Sequence, residues 1–157
     1  MAKKPILLEL TLDELEDAVV AMGEKRFRGK QLAEWVYAKC VTDAAAMTNV
    51  PNALVEGFDI LTSRVIERAD SEDGTVKLLI ELADGETIET VAMPSRKRNT
   101  ACLSTQVGCP MGCKFCASGA DGFVRNLRSG EILEQIIHLT QATGQRISNA
   151  VFMGMGE

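Results

Sequence analysis

The sequence predicts an α/β fold: a small helical region, then a β-hairpin, then the opening strand, helix and strand of a parallel sheet or barrel. Three patterns carry that expectation. Apolar residues up to position 60 recur at helical spacing, those between positions 76 and 93 alternate, and beyond position 100 two apolar stretches flank a long amphipathic segment.

The first helix opens at Thr11-Leu-Asp-Glu14, which has the spacing of a capping box. It turns Leu12, Leu15, Ala18, Val19 and Met22 to one face, and Gly23 is placed to stop it. A second helix is expected from near Gly29 to about Cys40, with Leu32, Trp35 and Val36 inward, and Pro51 opens a short third helix through Leu54 and Val55. The period then changes. Val76, Leu78, Ile80 and Leu82 alternate with Lys77, Leu79 and Glu81, and Asp84-Gly85 separates them from Thr87-Ile-Glu-Thr-Val-Ala-Met93, the signature of a hairpin. Pro94-Ser-Arg-Lys-Arg-Asn99 cannot continue a central strand and reads as a basic linker, after which a new domain begins.

Thr100 to Val107 is the expected first strand of that domain. A helix follows from about Gly130 to Ala142, capped by Ser129 and burying Ile132, Leu133, Ile136 and Ile137. A second strand, Ala150-Val-Phe-Met153, ends in Gly154-Met-Gly-Glu157. The chain thus divides into a helical accessory region 1–60, a β-hairpin connector 61–94 and the start of an α/β domain over 95–157.

Composition excludes several classes. Apolar residues make up 46% of the chain, which is globular rather than disordered, and no apolar run approaches the ~20 residues of a membrane span. A cytoplasmic protein with no membrane partner is expected. The net charge of -5 argues against a uniformly basic nucleic-acid binder, but the charge is uneven. Lys25, Arg26, Arg28 and Lys30 face one acid, Glu24, in the segment 24–30. Between 94 and 128, Arg96, Lys97, Arg98, Lys114, Arg125 and Arg128 face only Asp121. Both regions are candidates to meet phosphate, or simply to solvate exposed faces.

Five cysteines are present, and three of them fall within eight residues: Cys109-Pro-Met-Gly-Cys113-Lys-Phe-Cys116. An odd number in a chain without secretory features disfavours a disulfide framework. A loop holding Pro110 and Gly112 can wrap so that each thiolate meets a different iron of one 4Fe-4S cubane, leaving the fourth iron open. S-adenosylmethionine can chelate that iron through its amino and carboxylate groups and take an electron from the reduced cluster, which gives methionine and a 5'-deoxyadenosyl radical. Structural zinc is the competing reading, but it prefers four closed ligands, and the only histidine, His138, falls in the helix of the α/β domain and reads as a helix residue rather than a ligand.

These motifs resemble a known family. The cysteine loop with Phe115 before its last cysteine is similar to that of the radical S-adenosylmethionine superfamily. Thr100-Ala-Cys-Leu-Ser-Thr-Gln-Val-Gly-Cys109, Gly122-Phe-Val-Arg-Asn-Leu-Arg128, Phe152-Met-Gly-Met-Gly-Glu157 and Phe27-Arg-Gly-Lys-Gln-Leu-Ala-Glu-Trp35 resemble blocks of the dual-specificity 23S rRNA and tRNA adenine-2 methyltransferases. The resemblance implies a partial (βα)6 radical S-adenosylmethionine barrel behind an RNA-binding accessory domain. It implies cluster ligands Cys109, Cys113 and Cys116, contact of Gly156 and Glu157 with the amino end of S-adenosylmethionine, and Glu89 as proton acceptor when the methylated adenine regains aromaticity. It makes Cys102 the partner, through a transient disulfide, of a second cysteine that carries the methyl group. Cys40 matches nothing in the family and reads as a helix residue.

By the same resemblance the partners are 23S rRNA, tRNA and a reducing donor such as flavodoxin or ferredoxin, and the full-length form is a monomer. The chain stops at Glu157, after about two strands of a six-unit barrel and without the methyl-carrying cysteine. It is therefore expected to be a truncated product or an excised portion, inactive alone. Methylation of carbon 8 instead of carbon 2, a non-catalytic RNA-binding or iron-sulfur module, and a zinc-stabilised interaction domain stay open as alternatives.

Overall fold

A computed structural model describes residues 4–119 and 122–156, and the chain divides into two compact units, residues 1–62 and 63–157. Among the described residues no helix is long and apolar enough to cross a membrane.

The first unit is helical because its apolar residues return every three to four positions and its helix ends are chemically capped. Helix α1 spans Leu12–Ala21. The backbone N–H of Thr11 donates to the Glu14 carboxylate at 2.8 Å, and the Thr11 hydroxyl accepts from the Glu14 N–H at 3.3 Å, which is the capping box read from the sequence. Helix α2, Phe27–Ala33, starts two residues earlier than expected and turns into one π-helical turn, Glu34–Ala38. Cys40 lies beyond that turn with φ 52, so it ends the helical stretch rather than belonging to it. Helix α3, Asn52–Val55, completes the unit. Leu15, Val19, Leu32, Val36, Met47 and Leu54 form its buried core, and a parallel bridge between Ile6 and Asp59 closes its two ends together.

The second unit is a mixed α/β structure. Strands β1 (Arg64–Asp70), β2 (Val76–Glu81), β3 (Thr87–Pro94) and β4 (Asn99–Cys102) are antiparallel neighbours in that order. The hairpin at Asp84-Gly85 forms as the alternation requires, with Gly85 at φ 88 and Val76, Leu78 and Ile80 turned inward. The stretch 61–94 is more than a two-stranded connector: it also contains β1, and its last strand is hydrogen-bonded to β4 in the same sheet. The expected strand from Thr100 to Val107 is interrupted. The chain leaves the sheet after Cys102 and re-forms as β5 (Gln106–Gly108), paired with β6 (Phe123–Asn126) in a separate two-stranded ladder.

Helix α4, Ser129–Thr143, then crosses over the sheet, and β7 (Asn149–Val151) returns parallel to β4, pairing Ala101 with Ala150 and Cys102 with Val151. Ser129 is the first helical residue rather than the cap. The free N–H groups of this end are met by the Glu131 carboxylate, which accepts from the Arg128 N–H at 2.8 Å. Leu78, Ile80, Ile88, Ala101, Leu103 and Leu139 make the core between sheet and helix.

The buried face of α4 differs from the expected one. Glu131, Glu134, Gln135 and His138 are buried beside Ile137 and Leu139, while Ile132 and Ile136 are only partly covered. Burying such groups is tolerable only with partners, and each has one. Arg125 bridges Glu131 and Asp84 at 2.8 and 2.7 Å. Gln135 meets the backbone of Ser104, and Ser63 meets both Glu134 and His138. Burial alone would raise the Glu131 carboxyl, but Arg125 and the Arg128 N–H outweigh it and hold the carboxyl below its ordinary value. Burial pushes the His138 imidazole down, against the opposing charge of Glu134, so it sits in the fold as a neutral ring.

Candidate active site

The site is built where β4 and β7 end, the edge at which parallel α/β structures gather ligands. Gly108 sets the start of the cysteine loop. Its φ is 70, and a β-carbon there would stand 1.8 Å from the carbonyl oxygen of Gly122, which instead accepts from the Cys109 N–H at 3.1 Å. Beyond it the loop runs outward. Cys109 is half-buried, Cys113 and Cys116 are exposed, and the Cys116 N–H turns back to the Cys113 carbonyl at 3.1 Å. Phe115 stands 94% exposed.

Three thiols and no histidine is the donor set of an iron-sulfur cubane with one open iron rather than of a closed zinc site. The sulfurs are not drawn together: among the described residues no three His, Cys, Asp or Glu side chains converge on a metal-sized point. All five cysteines are outside any disulfide. The disulfide expected of Cys102 is therefore not supported. Its thiol lies in β4, and burial raises its pKa against a hydrogen bond from the Met153 N–H, so it is held as a neutral thiol.

Beside the loop, one side chain gathers the elements. Ser104 is fully buried; its hydroxyl donates to the Glu89 carbonyl at 2.6 Å and accepts from the Met155 N–H at 2.8 Å. Gln135 holds the Ser104 backbone from both sides, accepting from its N–H at 2.8 Å and donating to its carbonyl at 2.9 Å. Residues 103–106 are further stitched to the segment after β7, with the Leu103 carbonyl accepting from the Gly154 N–H and the Met155 carbonyl from the Thr105 N–H. Gly156 follows at φ 104, where a β-carbon would lie 2.7 Å from the Gln106 side chain.

These links open a cavity of about 250 Å³ lined by Leu79, Thr87, Glu89, Ala117, Ser118 and Met155. It brings Glu89, half-exposed and paired with Lys77 at 2.8 Å, to the residues that follow Cys116 and to those that precede Gly156. Glu157 lies outside the described residues.

Sequence reasoning did not find Ser104 or Gln135. The available signal was a glutamine next to the expected apolar face of α4, which has meaning only once a buried polar partner is known. The basic segment 24–30 also changes standing. Arg26 is engaged by Asp13, Glu16 and Asp17, and Lys30 by Glu16, so much of its charge is neutralised within the first unit.

Comparison with known proteins decides the family. Over all of its length the chain is 46% identical to a probable dual-specificity RNA methyltransferase RlmN of Synechococcus sp. (strain JA-2-3B'a(2-13)), and over 98% of its length 48% identical to that of Geobacillus thermodenitrificans (strain NG80-2). The chain belongs to the RlmN family. Residues 6–59 match the model of the ribosomal RNA large subunit methyltransferase N-terminal domain. The RlmN-like chain also superposes on the crystal structure of a radical SAM methyltransferase from Sphaerobacter thermophilus, with a TM-score of 0.88 and 38% identity over 98% of this chain and 47% of that one. It spans about half the length of the curated RlmN relatives, 46% and 44% of the two named.

Proposed function

We propose that this chain contributes the cluster-binding side of a radical S-adenosylmethionine methyltransferase that modifies carbon 2 of adenosine in 23S rRNA and in tRNA. The observation that carries the reading is the cavity that joins Glu89 to the end of the cysteine loop and to Met155. Cys109, Cys113 and Cys116 are the residues that would hold a 4Fe-4S cluster, which when bound would supply the electron for reductive cleavage of S-adenosylmethionine. Gly156, with no side chain at φ 104, lets the backbone approach the amino end of that ligand, and Glu157 is assigned to the same end. Glu89 is assigned the proton leaving carbon 2. Lys77, 2.8 Å from its carboxylate, holds it in place.

The βα barrel, the helical unit as an RNA-gripping accessory domain over residues 1–60, a flavodoxin- or ferredoxin-like electron donor and a cytoplasmic setting complete the reading. The RlmN relatives and the radical SAM neighbour support it.

The test is anaerobic reconstitution of the chain with iron and sulfide. About four irons per chain are expected, with the cluster lost from Cys109→Ala, Cys113→Ala and Cys116→Ala alike. One zinc and no iron would reject the reading. Nucleoside analysis of RNA treated with a full-length relative in which this chain replaces the matching half is then expected to find the methyl group on carbon 2, and a carbon-8 product would transfer the chain to the alternative chemistry.

A further inference from the structure

The cysteine loop leaves β5 at Gly108 and returns beside it as β6, and its two legs are held by different means. The entering leg is gripped by packing and through its backbone: Leu103 and Val107 are buried, and Gln135 of α4 bonds the Ser104 backbone from both sides. The returning strand has no buried side chain. Phe123, Val124 and Asn126 face solvent, and Arg125 alone among the four residues of β6 turns partly inward. A two-stranded ladder standing apart from the main sheet is marginal by itself, so a strand with nothing buried needs a further hold.

Arg125 supplies it. Its Nη1 and Nη2 donate to the two carboxylate oxygens of Glu131 at 2.8 and 2.9 Å, and its Nε donates to the Asp84 carboxylate at 2.7 Å. Glu131 lies in the first turn of α4 and is 2% exposed, while Asp84 sits in the turn between β2 and β3, on the hairpin that carries Glu89. Glu131 and Gln135 are one helical turn apart, about 6 Å along the axis. Helix α4 therefore grips both legs of the loop at neighbouring points.

Charge alone does not account for Arg125. Glu131 also accepts from the Arg128 N–H at 2.8 Å and from the Arg128 guanidinium at 3.3 Å, so its buried carboxylate already has a second cation. What Arg125 adds is geometry: a planar fork that meets two carboxylates at once fixes the direction of the strand bearing it, which a point charge does not. The hold reaches the thiols through Gly122, whose carbonyl accepts from the Cys109 N–H at 3.1 Å and which directly precedes β6.

We propose that Arg125 is a positioning residue for the cysteine loop: clamped between Glu131 and Asp84, it fixes the returning leg so that Cys109, Cys113 and Cys116 close on one cluster. The inference rests on the cluster reading proposed above, and it deepens that reading by making a residue outside the loop responsible for where the three ligands stand.

The test uses the full chain, reconstituted anaerobically with iron and sulfide and then challenged with a ferrous chelator well below its thermal midpoint. Arg125→Lys keeps a cation beside Glu131 but loses the fork. It is expected to release iron about tenfold faster than the parent, the lower end of the cost of disturbing the support behind metal ligands. In the iron-free chain, amide exchange should quicken at Cys109 and Leu127, whose N–H groups bond across the two legs to Gly122 and Thr105, while Leu78 in the middle of the sheet keeps its protection. Glu131→Gln should act in the same direction, and the double variant should release iron no faster than the faster single one, because both undo one clamp. A residue that only neutralised a buried charge would be rescued by lysine. An unchanged iron-release rate in Arg125→Lys, or exchange that quickens at Leu78 as much as at Leu127, would overturn the clamp. The two readings fail differently: a parent chain that loads no iron removes the cluster and the clamp's purpose with it, whereas a parent that loads about four irons and holds them equally well after Arg125→Lys loses the clamp alone.

Discussion

Ser104→Ala is the sharpest probe of how the site is held. The residue is 0% exposed, and its hydroxyl serves two backbone groups far apart in the chain, the Glu89 carbonyl in β3 at 2.6 Å and the Met155 N–H in the segment after β7 at 2.8 Å. Truncation removes both bonds and leaves a carbonyl and an amide unmatched. With a net ~1 to 1.5 kcal/mol for each bond to an interior partner, the loss is ~2 to 3 kcal/mol. For a small unit with a urea dependence of ~1.5 kcal/mol per molar, the midpoint falls by more than about 1 M. The assay is far-ultraviolet circular dichroism in urea together with amide hydrogen exchange. Trp35, the sole tryptophan, belongs to the first unit, so its fluorescence does not report on the second. Exchange should accelerate at Met155 ahead of Leu78 in the middle of the sheet. A destabilisation under ~0.5 kcal/mol, the size of an ordinary surface change, would refute the claim that this hydroxyl joins β3 to the segment after β7. Gln135→Ala should cost a similar amount, and the double variant less than the sum, because both act on the same residue.

Gly108→Ala sets a β-carbon against the Gly122 carbonyl oxygen at a φ of 70, so the thermal midpoint should fall by several degrees, and a midpoint within one degree of the parent would refute the close approach. The neutral, buried His138 gives a pH dependence of definite sign. Its folded-state value lies below the ordinary 6.5, so the folded protein binds fewer protons there than the unfolded chain, and stability is full above about 6.5 and declines as pH falls below it. His138→Gln should flatten that decline, and unfolding midpoints that stay level between pH 7 and 5.5 would count against it. Glu131 acts lower on the scale: its depressed carboxyl contributes stability that is present above the ordinary 4.5 and is lost as pH falls through its folded value, and Glu131→Gln should remove that later loss.

What the sequence revealed was what adjacent residues decide. The Thr11–Glu14 cap, the turn at Asp84-Gly85 and the strand, helix and parallel strand from residue 99 onward all depend on local spacing. β1 escaped because each of its seven residues is exposed, so no alternation marks it. The break after Cys102 escaped because residues 103–106 are claimed by residues 151–155, fifty positions away, rather than by a neighbouring strand. The polar face of α4 was misread for the same reason: Glu134 finds Ser63 at a separation of 71 residues, and Gln135 finds Ser104 at 31. At the site, Cys109, Cys113 and Cys116 stood out by their spacing, whereas Glu89 is an ordinary strand carboxylate that only the family resemblance singles out. The hydroxyl that connects Glu89 to Met155 was invisible, since a serine in an apolar stretch carries no local mark of what it will meet.

The two margins of the five-stranded sheet are unlike. β1 carries Arg64, Glu67, Arg68 and Asp70 along one rim, a run of alternating charge that discourages foreign strands from docking there. β7 forms the other rim with Asn149, Ala150 and Val151 and leads into Phe152 and Met153, which are 64% and 79% exposed. A strand added beside β7 would meet no charged side chain on that strand, whereas one added beside β1 would have to pass four.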